Sequence, residues 1–200
     1  MLIVAIAGLL PLVACGGAPA ASRLEDAATA TATSSFAFKT QIVTPAERRG
    51  LHGWFEPPDK LHLVVEAAAG DSTRRNPDES IYAGNRLLVR HPFDDGFDEL
   101  PRTTDPPHDP RLVLELVAHE ASDVSGEGNA IQFSVVASAV KRFLRVDTES
   151  PATGTAVLLG EHVVEVEIRV YADDVGQLRW TFSDVGSTKV TIPEPRGVRG

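Results

Sequence analysis

The chain has 200 residues, of which 42% are hydrophobic and 24% charged, and its formal net charge is −9. That excess of carboxylates excludes nucleic acid as a partner, because phosphates demand a basic face, and it equally excludes a polybasic membrane-surface module. Cys15 is the single cysteine, which excludes an intramolecular disulfide, so the fold must rest on its core.

Leu2 to Ala14 is almost wholly apolar, interrupted only by Gly8 and Pro11. A spanning helix needs ~20 residues, so the run is too short to cross a bilayer but suits the apolar stretch of a signal peptide. Leu12-Val13-Ala14-Cys15-Gly16 resembles the bacterial lipobox, which implies that Cys15 is acylated, becomes the first mature residue and anchors the protein to the membrane. The absence of Lys or Arg before Arg23 departs from that pattern and fits a start upstream of Met1. Cleavage before Cys15 would leave enough chain for one domain, able to bury on the order of 70% of the surface it exposes unfolded.

Gly16 to Ala21 is expected to be a flexible tether. Ser22-Arg23-Leu24-Glu25 has the spacing of a capping box and predicts a short helix to about Ala30. Period-two alternation then sets Phe36, Phe38, Thr40 and Ile42 on one side of a strand. Further strands are expected over 51–55 and 60–66, joined at Glu56-Pro57-Pro58-Asp59, where proline forbids ladder bonds and forces a turn. Ser80 to Ala83 and Arg86 to Arg90 flank Gly84-Asn85, a dipeptide suited to a tight hairpin, after a polar loop over 71–78. Pro92 to Pro110 holds five prolines and is expected to form no regular element.

Asp109-Pro110 supplies an N-cap and a first-turn proline to a helix reaching about Ser122, with Leu112, Val113, Leu116, Val117 and Ala121 at helical spacing. A Gly-rich turn over 125–129 leads to a strand with Ile131, Phe133 and Val135 on one face. Ala137 to Leu144 reads as a short helix and Ser150 to Gly154 as a turn. Val164, Val166, Ile168 and Val170 face away from Glu165, Glu167 and Arg169 in the clearest strand. Leu178, Trp180 and Phe182 follow in another, and Val190 with Ile192 is expected to form a last short one. Eight or nine strands in hairpin order with a helix inserted in the middle predict an antiparallel sheet with one face covered, an α+β architecture.

An N-terminal helix leading into Ser34-Ser35-Phe36-Ala37-Phe38, the run from Asp109 to Val117, Asp173 to Arg179, and Phe182 to Gly186 followed by Val190 to Pro193 together resemble the LolA/LolB-like lipoprotein superfamily, most closely the actinobacterial LppX and LprG type. The resemblance implies a curved, unclosed antiparallel half-barrel whose concave face is covered by helices, with an apolar cavity for acyl chains between them. The division it implies is a signal peptide over 1–14, lipidated cysteine, tether and helix over 15–33, one domain over 34–195 and a tail over 196–200. The implied cavity lining is Phe36, Phe38, Leu61, Leu63, Val65, Ile131, Phe133, Val166, Ile168, Trp180 and Phe182, closed by Leu112, Leu116 and Val117. A packed core uses the same residue types as a lipid pocket, so the sequence leaves both open.

No zinc, phosphate-loop, thiol-pair or nucleophile-elbow motif occurs, and neither catalytic residues nor a cofactor are expected. His91 with Asp94 and Asp95, or His119 beside Glu120, are weak metal candidates, and Asp94, Asp95, Asp98 and Glu99 lack the glycine and alternation of a calcium loop. Trp54 and Trp180 are expected to be buried rather than stacked on a ligand. The resulting expectation is a monomeric, non-enzymatic lipoprotein of the cell envelope, anchored through Cys15, that carries lipid in its cavity. The alternative is an envelope sensor or scaffold with a filled core, a role that RseB-like sensors imply for this fold.

Overall fold

The computed structural model describes residues 18–43, 48–66, 78–102, 106, 109–171, 175–195 and 197–199. The signal-peptide and Cys15 expectations, the 71–77 part of the polar loop and the Asp173-Asp174 turn lie outside these residues.

Helix α1, Ala20–Ala32, starts three residues before the predicted one, whose N-cap is Ser22. Its N-cap is Pro19 and no side chain caps it, so Ser22 and Glu25 do not form the capping box. Ala20 and Ala21 join the helix because alanine has the highest helical propensity. Of the threonines that alternate with alanine from Ala28 to Thr33, Thr31 and Thr33 are accommodated because their hydroxyls bond back to the helix. Thr33 Oγ1 donates to the Thr29 carbonyl at 3.0 Å and Ser34 Oγ to that of Ala30 at 2.8 Å.

The strands are β1 (Phe36–Val43), β2 (Arg48–Glu56), β3 (Lys60–Val65), β4 (Asp78–Ala83), β5 (Arg86–Arg90), β6 (Phe97–Pro101), β7 (Ser122–Ser125), β8 (Ala130–Val135), β9 (Ala152–Leu159), β10 (His162–Tyr171), β11 (Val175–Ser183) and β12 (Val198–Arg199). They form one open sheet in the order β12-β6-β5-β4-β3-β2-β1-β11-β10-β9-β8-β7, antiparallel except where β12 meets β6. The first and last long strands meet in the middle, where Phe38 pairs Phe182 and Thr40 pairs Trp180.

Four expectations change. The Pro92 to Pro110 segment contains β6, because Pro101 ends that strand, where a missing N–H costs least. Helix α2, Pro110–His119, stops before Ser122, which opens β7. Ser150 to Gly154 is not a turn. β9 begins at Ala152, and Gly154 serves as a strand residue because a Cβ there would lie 2.2 Å from the Phe133 ring. Val190 and Ile192 are buried but form no strand, and the Ile192 amide donates instead to Glu56 Oε2 at 3.0 Å. The remaining helix, α3 (Ala137–Ala139), runs on into a π-helical turn, Val140–Leu144.

The main core lies on the concave face. α1 contributes Leu24, Ala27 and Ala28, α2 contributes Val113, Leu114, Leu116 and Val117, and the sheet meets them from β1 round to β4 on one side and to β8 on the other. A second, smaller cluster of Ile81, Leu88, Phe97 and Ile192, joined by Trp54 and Val198, lies on the outer face, where the C-terminal segment crosses the sheet.

Candidate functional site

Strand alternation brings the predicted lining to one place. Phe36, Phe38, Leu61, Leu63, Leu116, Val117, Ile131, Phe133, Val166, Ile168, Trp180 and Phe182 all belong to the single core between sheet and helices. Val65 and Leu112 are half-buried and stand outside it. On α2 the inward position next to Val113 belongs to Leu114, fully buried, so the stripe is rotated from the predicted one. The predicted lining also omits Phe55, Tyr82 and the small residues of α1, and Leu178, which shares its strand face with Trp180 and Phe182. Phe55 was legible, because it continues the Leu51 and Gly53 parity of β2.

The core is aromatic on the side of β1, β2 and β11. Phe36 lies 5.2 Å from Phe55, 5.4 Å from Phe182 in an edge-on arrangement and 6.2 Å from Phe38 between ring centroids. α2 reaches this bank of rings with its first turn. Asp109 caps the helix by accepting from the Arg111 amide at 2.9 Å. The same carboxylate receives the Arg111 guanidinium, whose carbon lies 4.6 Å from the centre of the Phe55 ring. A cation on a ring face and a carboxylate fork together fix where α2 meets β2.

α1 docks differently. Thr31 Oγ1 donates to the Ala27 carbonyl at 2.8 Å and accepts from the Val163 amide at 2.9 Å, where β10 bulges against β9. The hydroxyl thus pairs an amide that the irregular ladder leaves unpaired.

Three cavities formed by described residues lie at the margins of this core, each touching one or two of its residues: Phe133, then Ala27 and Leu158, then Phe38. One of about 460 Å³ is a polar trough on the outer face, lined by Asp123, Gln132, Ser134, Thr153, Glu167 and Arg169 among others. One of about 310 Å³ lies between α1 and the β9–β10 turn, and one of about 260 Å³ lies on the outer face beside Ala37, Lys39, His52 and Trp54.

Also on the outer face, Trp54 is half-buried and stacks on His62 at 5.1 Å, whereas Trp180 is buried in the core. His62 Nε2 lies 3.6 Å from Glu79, which pairs with Arg90 at 2.5 Å. Burial holds the His62 pKa below its ordinary value, although Glu79 pulls the other way; His52 and Arg90 reinforce the lowering. Among the described residues no three His, Cys, Asp or Glu side chains are placed to hold a metal ion. His91 is exposed, Asp94 and Asp98 pair with Arg199, and Glu120 pairs with Arg142. Among the same residues no helix is long and apolar enough to cross a membrane.

Neither a protein-family model nor a curated protein matches the sequence. Among solved structures the chain is similar to LprF from Mycobacterium bovis, with 15% identity, 89% of this chain and 97% of that one covered, and a TM-score of 0.58. It also matches a LolA superfamily protein from Nitrosomonas europaea, with 10% identity, 84% and 93% coverage and a TM-score of 0.39. A third match is the MucA/MucB complex of Pseudomonas aeruginosa, with 11% identity, 87% and 61% coverage and a TM-score of 0.45. The likeness to LprF shows that the two chains share a fold, an open antiparallel sheet covered by helices of the kind the sequence resemblance implied.

Proposed function

We propose that the protein is a non-enzymatic cell-envelope lipoprotein that holds acyl chains between the concave face of its sheet and α2. The observation that carries this reading is the broad apolar surface running from β4 to β8 under two helices, in a fold similar to that of LprF. Each methylene moved from water into such a surface is worth about 0.8 kcal/mol, so a chain of ordinary length repays the side-chain movement needed to admit it. Cys15 supplies the anchor. Because α1 begins at Ala20, residues 16–19 are all that separate it from the acylated cysteine, and the five steps from Cys15 to Ala20 reach at most about 18 Å. The domain therefore works beside the bilayer it is tied to.

Native mass spectrometry of protein purified from its own membranes tests the reading. The expected result is a non-covalent lipid adduct on a chain that starts at an acylated Cys15, with Cys15→Ser moving the protein out of the membrane fraction. A ligand-free mass from freshly extracted protein overturns it.

The second reading is a sensor or scaffold with a solid interior, favoured by one observation: the core residues are tightly buried and the cavities described above open at the margins of the core. A stable protein partner recovered by crosslinking in the envelope, with no lipid on the purified chain, is the result that selects it.

A further inference from the structure

Thr40 stands on the same side of β1 as Phe38 and Ile42 and pairs with Leu51 on β2 and Trp180 on β11, so it occupies the middle of the concave face. It is 2% exposed, and its Oγ1 has no hydrogen-bond partner among the described residues. Among the described residues the other buried side-chain atoms without a hydrogen-bond partner belong to His52, His62 and Arg90 on the outer face and to His162 at the start of β10. Its rung of the sheet runs Asp78, Val65, Leu51, Thr40, Trp180, Val166, Ala156 and Ile131, so between Val65 and Ile131 one hydroxyl sits among apolar side chains.

A buried hydroxyl without a partner is unfavourable, and a valine of the same shape would remove the cost. Thr40 is not needed for the ladder, whose bonds are backbone ones. Its hydroxyl has one donor to offer, which matches a carbonyl oxygen and has nothing to give a hydrocarbon or a poor acceptor such as a hindered ether.

We propose that Thr40 Oγ1 is the hydrogen-bond donor that receives the carbonyl oxygen of an ester-linked acyl lipid, making Thr40 a specificity-determining residue of the sheet–helix site. The proposal rests on the acyl-chain reading above and narrows it. The ligand is an acyl ester whose carbonyl sits at the middle of the concave face, with its chain directed toward the aromatic bank.

The experiment compares dipalmitoyl phosphatidylglycerol with its dihexadecyl ether analogue, each titrated into the delipidated full chain and read by native mass spectrometry. Wild type is expected to favour the ester about fivefold, equivalent to about 1 kcal/mol for one net hydrogen bond. Thr40→Val should bind both lipids alike, while Thr40→Ser, which keeps the hydroxyl, should retain the preference. Equal binding of ester and ether by wild type overturns the proposal and leaves the acyl-chain reading standing; this comparison needs no variant to fold. A preference that survives in Thr40→Val also overturns it. Binding of neither lipid by wild type removes the acyl-chain reading and this proposal with it.

Discussion

α1 and α2 rest on the same sheet through opposite kinds of contact. α1 presents Ala27, Ala28 and Thr31 to β9 and β10 and comes close enough for a side chain to bond the strand backbone at Val163. The first turn of α2 meets a bank of rings, Phe55 then Phe36 and Phe182, through a guanidinium and otherwise packs against α1 and the π-helical turn. Small residues leave a helix one seating, whereas rings can turn about two torsions and still fill the same space. On the acyl-chain reading proposed above, the α1 side is expected to hold its seating while the α2 side yields to the chain. That contrast sets where substitutions hurt, and how.

The largest effect is expected at Phe36, fully buried and in ring contact with Phe38, Phe55 and Phe182. Phe36→Ala should cost about 3–5 kcal/mol in urea unfolding. If the aromatic bank is the adaptable side, part of that loss should return when a fatty acid is added, because ligand would fill the void. A loss that no lipid restores would make the bank an ordinary core.

On the α1 side the sharper probe is a hydrogen bond. Thr31→Val conserves volume but leaves the Val163 amide buried and unpaired, which should cost about 1–3 kcal/mol. Hydrogen exchange should then quicken at Val163 and along α1 while the protection of α2 stays unchanged. Equal loosening of both helices would erase the distinction between the two seatings.

Asp109→Ala tests α2 in return. It removes the cap and strands the Arg111 guanidinium over Phe55, and it should cost about 1–2 kcal/mol, with faster exchange confined to the first turns of α2.

Much of this was legible in the sequence, and the exceptions have physical causes. Alternation at Phe36, Phe38, Val166, Ile168, Trp180 and Phe182 gave the concave face, because period two survives wherever one side of a strand is buried. The Asp109-Pro110 start of α2 was legible because capping is local chemistry. β9 was not, since Gly154 reads as a turn until the Phe133 ring that occupies its missing side chain is known. β12 was invisible because two residues pairing in parallel with β6 leave no pattern of their own. The role of Thr31 was hidden for a related reason. Its partner lies 132 residues away at a bulge, and a threonine late in an Ala-rich helix signals weakness rather than docking. Thr40 was placed on the correct side of β1, but nothing in the alternation distinguishes a threonine with a partner from one without.

The smallest predicted effect lies on the outer face and serves as the control for both helices. His62 is held neutral in the folded protein because burial lowers its pKa below the ordinary 6.5, despite the pull of Glu79. In the unfolded chain the same imidazole takes up its proton near 6.5. Stability from this group is therefore complete above about pH 6.5 and is lost as the pH falls toward the folded-state value. Carboxylates elsewhere also respond to acid, so the measurement is the difference between wild type and His62→Phe, which keeps a ring against Trp54 but cannot titrate. The urea midpoint of wild type should fall more steeply between pH 7 and pH 5 than that of the variant, while exchange rates in α1 and α2 change alike in the two proteins. Parallel slopes would mean that His62 is protonated as readily in the folded chain as in the unfolded one, and a change confined to α2 would mean that the outer cluster is coupled through the sheet to the aromatic bank.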